Sequence, residues 1–387
     1  MLTSLALVFL IGLMLGSIFN KLKLPSLLGM IITGMILSPY ALNLLDPSIL
    51  GISADLRQLA LIITLTQAGL SLDINDLKKV GRPAILMCFE IVGVVLIAPK
   101  VLGISVLEAA IMGSVLGAVS PAVVVPRMLK IMEEGYGKER SIPQLILAGA
   151  SVDDVFVIVL FTAFISLATG GDFTASSLLQ IPISILLGII VGVLLGITLT
   201  IFFKKFHMRD SVKIIIILSL SGLLIELQNI LNGIIPISGL LAIMSMGVTI
   251  YKKYNILADR LSAKYSKLWV AAEILLFVLV GATVDLNYAV QAGLYSIIIV
   301  LGALLFRMLG VYVCLLKTKL SNKERLFCML AYTPKATVQA AIGAIPLSMG
   351  LACGQQVLTV AVLSILITAP FGAVCIDYLY PKLLNHE

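Results

Sequence analysis

Apolar stretches about twenty residues long follow one another along almost the whole chain, separated by short polar gaps. A bilayer core about 30 Å thick needs roughly twenty apolar residues per spanning helix. In lipid every backbone N–H and C=O must find its partner inside the protein, which leaves a chain of this pattern only helices. Just 12% of the residues are charged, too few to cover a soluble domain of ordinary size. The expected fold is an all-α polytopic membrane protein with thirteen transmembrane helices. They are read at 2–19, 24–43, 54–72, 83–99, 104–126, 142–169, 177–203, 212–230, 235–251, 268–284, 291–316, 326–349 and 356–380. Spans 24–43, 104–126, 235–251 and 326–349 carry Pro or Gly near an edge or centre.

Basic residues test that count. Of the 27 Lys and Arg, all but Arg57, Lys100, Arg307 and Lys335 fall in odd-numbered loops, at their borders or at the C-terminus. The positive-inside rule then places the N-terminus outside and the C-terminus in the cytoplasm. The same rule, with anionic lipid at the inner face, accounts for the net charge of +7 and gives no reason to invoke nucleic acid. The first span lacks the basic flank of a cleaved leader, and no regulatory domain is expected after "PKLLNHE". Five cysteines without CxxC spacing and two histidines argue against a disulfide framework or a zinc site, and no cofactor is expected.

The chain repeats itself. "GLSLDIN" (69–75) and "GATVDLN" (281–287) share G-x-[ST]-x-D-x-N at an offset of 212 residues. At an offset of 213, "LLGMIITGM" (27–35) aligns with "LLAIMSMGV" (240–248), and "AVSPAVVV" (118–125) with "AYTPKATV" (331–338). The offset equals seven spans, an odd number, so the halves enter the membrane in opposite directions. Such inverted repeats mark many secondary transporters, with substrate near the midplane. Ser120-Pro121 and Thr333-Pro334 each read as an N-cap followed by Pro at the first helical position, in the middle of an apolar span. A simple proline kink is the alternative for either alone. At symmetric positions, two broken, crossing helices are expected, and unpaired backbone at that depth must be buried in protein or line a wet cavity.

Few ionisable residues lie inside the spans: Glu90, Asp153, Asp154, Glu273, Arg307 and Lys335. An acid at the centre of a membrane helix costs roughly 2.5–3.5 kcal/mol on insertion scales, so such acids are functional by default. Arg307 keeps its charge at any accessible pH and needs a carboxylate. Glu90, at the equivalent place in the repeat, is the first candidate, and Asp153 is the other. Asp153 and Asp154 point about 100° apart on a helix, so one can face a partner and the other a cavity. Burial and a like charge both favour the protonated carboxyl. The same oxygens can hold H⁺ or a small hard cation, which is what a proton-coupled site needs. Lys335 is expected to balance the partial negative ends of the crossing half-helices.

These features resemble monovalent cation/proton antiporters: the double aspartate in span six, the Ser-Pro break in span five and the basic residue in span eleven. "TPKATVQAAIGAIPL" (333–347) and "LFRMLGVYVCLL" (305–316) resemble in particular the NHA branch of sodium/proton antiporters. The resemblance implies that Asp154 is the main cation carboxylate and Asp153 its neighbour, with Ser120 and Thr333 in the ion-binding and proton-coupling site. Arg307 stands where many relatives with a double aspartate carry Lys. The resemblance also implies a panel domain (1–77 and 209–286) that forms a homodimer, an ion-binding core (80–169 and 290–381), and a linker helix (177–205). An elevator-like shift of core against panel would give alternating access in a cell membrane such as a bacterial inner membrane.

The expected activity is exchange of Na⁺ or Li⁺ for H⁺, these ions being transported cargo and not resident cofactors. A potassium/proton exchanger of the same fold is the alternative, and a cation channel a more distant one. An intramembrane aspartyl protease needs its two acids on facing helices, which an adjacent pair cannot supply.

Overall fold

The computed structural model describes residues 1–71, 83–137, 139–169, 175–231, 235 and 237–386. Residues 72–75 of the first repeat match and the expected boundaries at 77 and 80 lie outside the described residues. The described chain is almost entirely helical, and an isolated antiparallel bridge joins Tyr136 to His386. In chain order the helices are α1 (Leu2–Lys21), α2 (Ser26–Leu37), α3 (Pro47–Gly51), α4 (Ser53–Ser71), α5 (Pro83–Leu102) and α6 (Val106–Leu116). There follow α7 (Pro121–Glu133), α8 (Ile142–Thr169), α9 (Ala175–Lys205), α10 (Asp210–Leu231), α11 (Gly239–Lys253) and α12 (Asn255–Ala282). The chain closes with α13 (Leu286–Leu315), α14 (Asn322–Ala331), α15 (Thr337–Ile342), α16 (Ile345–Ser348) and α17 (Gly354–Leu383). Among the described residues, seven helical stretches are long and apolar enough to cross a membrane by length and composition, one of them made of α6 and α7 together.

Three of the departures from the sequence reading have a local reason. The second span ends at Leu37, because Ser38 precedes Pro39 and is extended (φ −62°, ψ 160°), as the proline ring demands of its predecessor. The tenth begins at Asn255, well before its apolar part at 268, because the basic stretch 255–267 is helical too. The twelfth is three short helices, α14 to α16.

Backbone contacts divide the chain into two compact units, with boundaries that fall inside α4, α8 and α12. One comprises Met1–Ala54, Val80–Val157 and Ile274–Glu387; the other comprises Asp55–Lys79 and Ile158–Glu273. In the second unit α9 packs along α11. A methyl group on Gly192 would lie 2.2 Å from the Ala242 carbonyl oxygen, so the two backbones approach as only small residues permit. On α9 the apolar Leu186, Ile190 and Leu194 stay exposed, as befits side chains that acyl chains solvate. In the first unit α5 packs on α13, and α17 touches α6, α7, α13, α14, α15 and α16. Its core joins Val119, Ile146, Phe327, Tyr332 and Ile376.

Candidate functional site

Two interruptions meet inside the first unit. α6 starts with a capping box, Ser105 with Glu108, and stops at Leu116; α7 restarts at Pro121, its first helical residue. α14 starts with a second capping box, Ser321 with Glu324, and stops at Ala331. The expected restart at Pro334 is not found. α15 begins at Thr337, and residues 332–336 are unwound. The reason is tertiary. Lys335 N donates to Thr368 Oγ1 on α17 at 2.9 Å, and Pro334 O accepts from Ser120 N at 2.8 Å. Both groups are thereby committed outside any helix. The Ser120–Pro334 bond places the two interruptions in direct contact.

The expected caps do not form. Ser120 occupies the N-cap position of α7 but makes no capping bond, and its Oγ is buried without a partner. Thr333 Oγ1 donates back to Leu330 O at 2.8 Å.

α8 presents one face to this crossing at four-residue spacing. A methyl on Gly149 would run into the Tyr332 hydroxyl, so the ring lies where a larger residue would make it shift. One turn on, Asp153 Oδ2 accepts a hydrogen bond from the Arg307 guanidinium. Another turn on, Val157 packs against Gly117. Arg307, carried by α13, is fully enclosed. It also donates to Gly117 O at 3.1 Å and lies over the Tyr332 ring at 5.5 Å. A fixed cation thus sits at the C-terminal end of half-helix α6, where the helix dipole favours it.

Glu90, on α5, accepts from Lys335 Nζ at 2.7 Å and lies 3.8 Å from Arg307 Nε. Arg307 is therefore brought to both candidate carboxylates, with its hydrogen bond going to Asp153. The stem of Lys335, expected to balance the half-helix ends, reaches across to Glu90. Asp154 takes no part in these ion pairs. Its Oδ1 is buried and has no partner, and the same holds for Asp153 Oδ1 and Glu90 Oε1. Pro121 and Pro334 flank the crossing without contributing a donor.

Three residues absent from the sequence reading complete the site. Gln339, on α15, accepts from Ala336 N at 2.8 Å and donates to Ala118 O at 2.8 Å and Leu116 O at 3.4 Å. Thr368 holds Lys335, and Tyr332 floors Arg307. The signal for Gln339 was available as a lone amide inside "ATVQAA".

The fold has a known counterpart. The sodium proton antiporter MjNhaP1 from Methanocaldococcus jannaschii superposes with a TM-score of 0.82, covering 99% of this chain and 98% of that one at 21% identity. The fold class is thus the all-helical fold of that antiporter, here with buried ion pairs where two helix breaks meet. Residues 5–377 match the family described as "Sodium/hydrogen exchanger, transmembrane". Human sodium/hydrogen exchanger 9B2 is 33% identical over 382 residues, 94% of this chain and 70% of that protein. Human sodium/hydrogen exchanger 9B1 is 32% identical over 364 residues, 87% of this chain and 67% of that protein. The chain belongs to the sodium/hydrogen exchanger family, whose members are secondary transporters and not enzymes.

Proposed function

We propose that this chain exchanges Na⁺ or Li⁺ for H⁺ by alternating access, with cation and proton competing for Asp154. One observation carries the reading: the cluster holds three acids (Glu90, Asp153, Asp154) and two bases (Arg307, Lys335), and only Asp154 has neither base as its partner. With all five ionised, the cluster is one negative charge in excess. A bare buried charge of that kind is strongly unfavourable, and either one proton or one monovalent cation relieves it. The two occupants are then mutually exclusive, which is the condition for coupled exchange. Ser120 Oγ and the free oxygen of Asp153 are further ligands within the same crossing.

The architecture that serves this cycle is an inverted repeat of thirteen spans with the N-terminus outside and the C-terminus in the cytoplasm. It comprises a homodimer-forming panel (1–77, 209–286), a moving core (80–169, 290–381) and a linker (177–205). The repeat matches and the distribution of basic residues support that arrangement. The test is proton movement in proteoliposomes on adding Na⁺, Li⁺ and K⁺ in turn. Asp154→Asn should abolish cation-driven proton release by a protein that still purifies folded. Ordinary exchange by that variant sinks the assignment.

A further inference from the structure

Unwound backbone carbonyls at broken helices are natural ligands for a transported cation. In this chain the carbonyls of the first interruption are largely taken. Gln339 Nε2 occupies Ala118 O and Leu116 O, and Arg307 occupies Gly117 O. Ser120 O accepts from Val123 N and Val124 N of α7. Gln339 is itself enclosed, 1% exposed, and both ends of its amide are used, since Oε1 accepts from Ala336 N in the second interruption. A side chain placed this way does two things at once. It ties the two interruptions together, and it engages the two carbonyls flanking Gly117, whose own carbonyl shares Arg307 with Asp153, the neighbour of Asp154.

We propose that Gln339 is a positioning residue that sets ion choice: by holding the Leu116 and Ala118 carbonyls it keeps the cation site poor in neutral oxygens and biases it toward small ions over K⁺. The inference rests on the exchange reading above. A small cation is satisfied by a few close oxygens, one of them charged. K⁺ gains most from additional carbonyls at longer range, whether ligand number or site size is taken as the dominant cause. Aspartate alone does not discriminate in this way, so the bias has to come from which neutral ligands are withheld.

The experiment compares wild type, Gln339→Met and Gln339→Glu in proteoliposomes, reading the apparent KM for Na⁺ and for K⁺. Met keeps the length of the side chain and offers neither donor nor acceptor. Its expected effect is a fall of about tenfold in the ratio of KM for K⁺ to KM for Na⁺, the worth of one good hydrogen-bond-grade ligand. Glu keeps the acceptor that Ala336 N uses. It offers a donor to the carbonyls only when protonated, among the charges of Arg307, Lys335, Glu90 and Asp153 on the surrounding elements. Its ratio should therefore approach wild type at acid pH and fall at alkaline pH, a pattern that a purely structural role does not produce. Equal changes in both KM values, or a ratio fixed at the wild-type value in both variants, overturn the proposal. Failure of both variants to fold also overturns it, leaving Gln339 a structural staple. If wild type moves no protons with any cation, the exchange reading itself fails, and that outcome is read before any variant is considered.

Discussion

Arg307 shows what one buried cation does when it is shared. It pairs with Asp153, closes the end of α6 through Gly117 O and rests on Tyr332. Removing one member of a buried pair leaves the other uncompensated, at a cost of roughly 3–5 kcal/mol. Arg307→Ala should therefore lower the unfolding midpoint in detergent sharply, and Asp153→Asn in the same chain should restore part of the loss. Midpoint shifts that simply add in the double variant would show that the pair is not the source of the effect. The sequence made Arg307's need for a carboxylate plain, because a guanidinium cannot shed its proton in lipid. It could not choose between Glu90 and Asp153, since both stand on other helices and the choice depends on where each helix is rotated. The partner of Lys335 was hidden for the same reason: a four-carbon stem reaches well past its own backbone, and Glu90 across the crossing has no trace in the neighbouring residues.

The elements carry the next part of the argument. The first interruption was legible because Pro121 sits where proline is favoured, at the first residue of a helix. The second was legible as an interruption but not in its extent, because Pro334 answers to tertiary partners. α17 supplies them at four-residue spacing. Thr368 receives Lys335 N, and Gly372 leaves room for Pro334, whose ring a methyl group there would meet at 2.3 Å. Capping boxes, Ser-x-x-Glu in both cases, fix the helix starts at Val106 and Asn322, the latter earlier than hydropathy alone does. Thr368→Val keeps the shape of α17 and removes the acceptor, leaving a buried N–H unsatisfied at about 1–3 kcal/mol. The variant should unfold at lower temperature and exchange more slowly, while Thr368→Ser retains both properties. Equal behaviour of Val and Ser at this position would mean that the bond does not hold the second interruption open.

At the scale of the whole molecule, the question is how much charge one transport cycle moves. Arg307 is fixed in its charge and engaged with Asp153, and Lys335 is engaged with Glu90. Those two pairs are neutral. On the proposed exchange they travel as they are, and the remaining carboxylate, Asp154, carries either one proton or one cation through the membrane, so both half-cycles move a neutral core. Exchange is then electroneutral, one cation for one proton, despite the adjacent aspartates. The check is to impose a membrane potential on proteoliposomes with no pH gradient. The expected result is no sustained cation uptake beyond that of empty liposomes, while an imposed pH gradient drives uptake in the same preparation. Potential-driven uptake with proton counterflow would mean that a second proton travels. The candidates for it are Lys335, released from Glu90 during the cycle, and Asp153, titrating together with its neighbour as a coupled pair. Repeating the measurement with Lys335→Gln separates them: charge movement that persists without the lysine belongs to the aspartates, and charge movement that disappears belongs to Lys335.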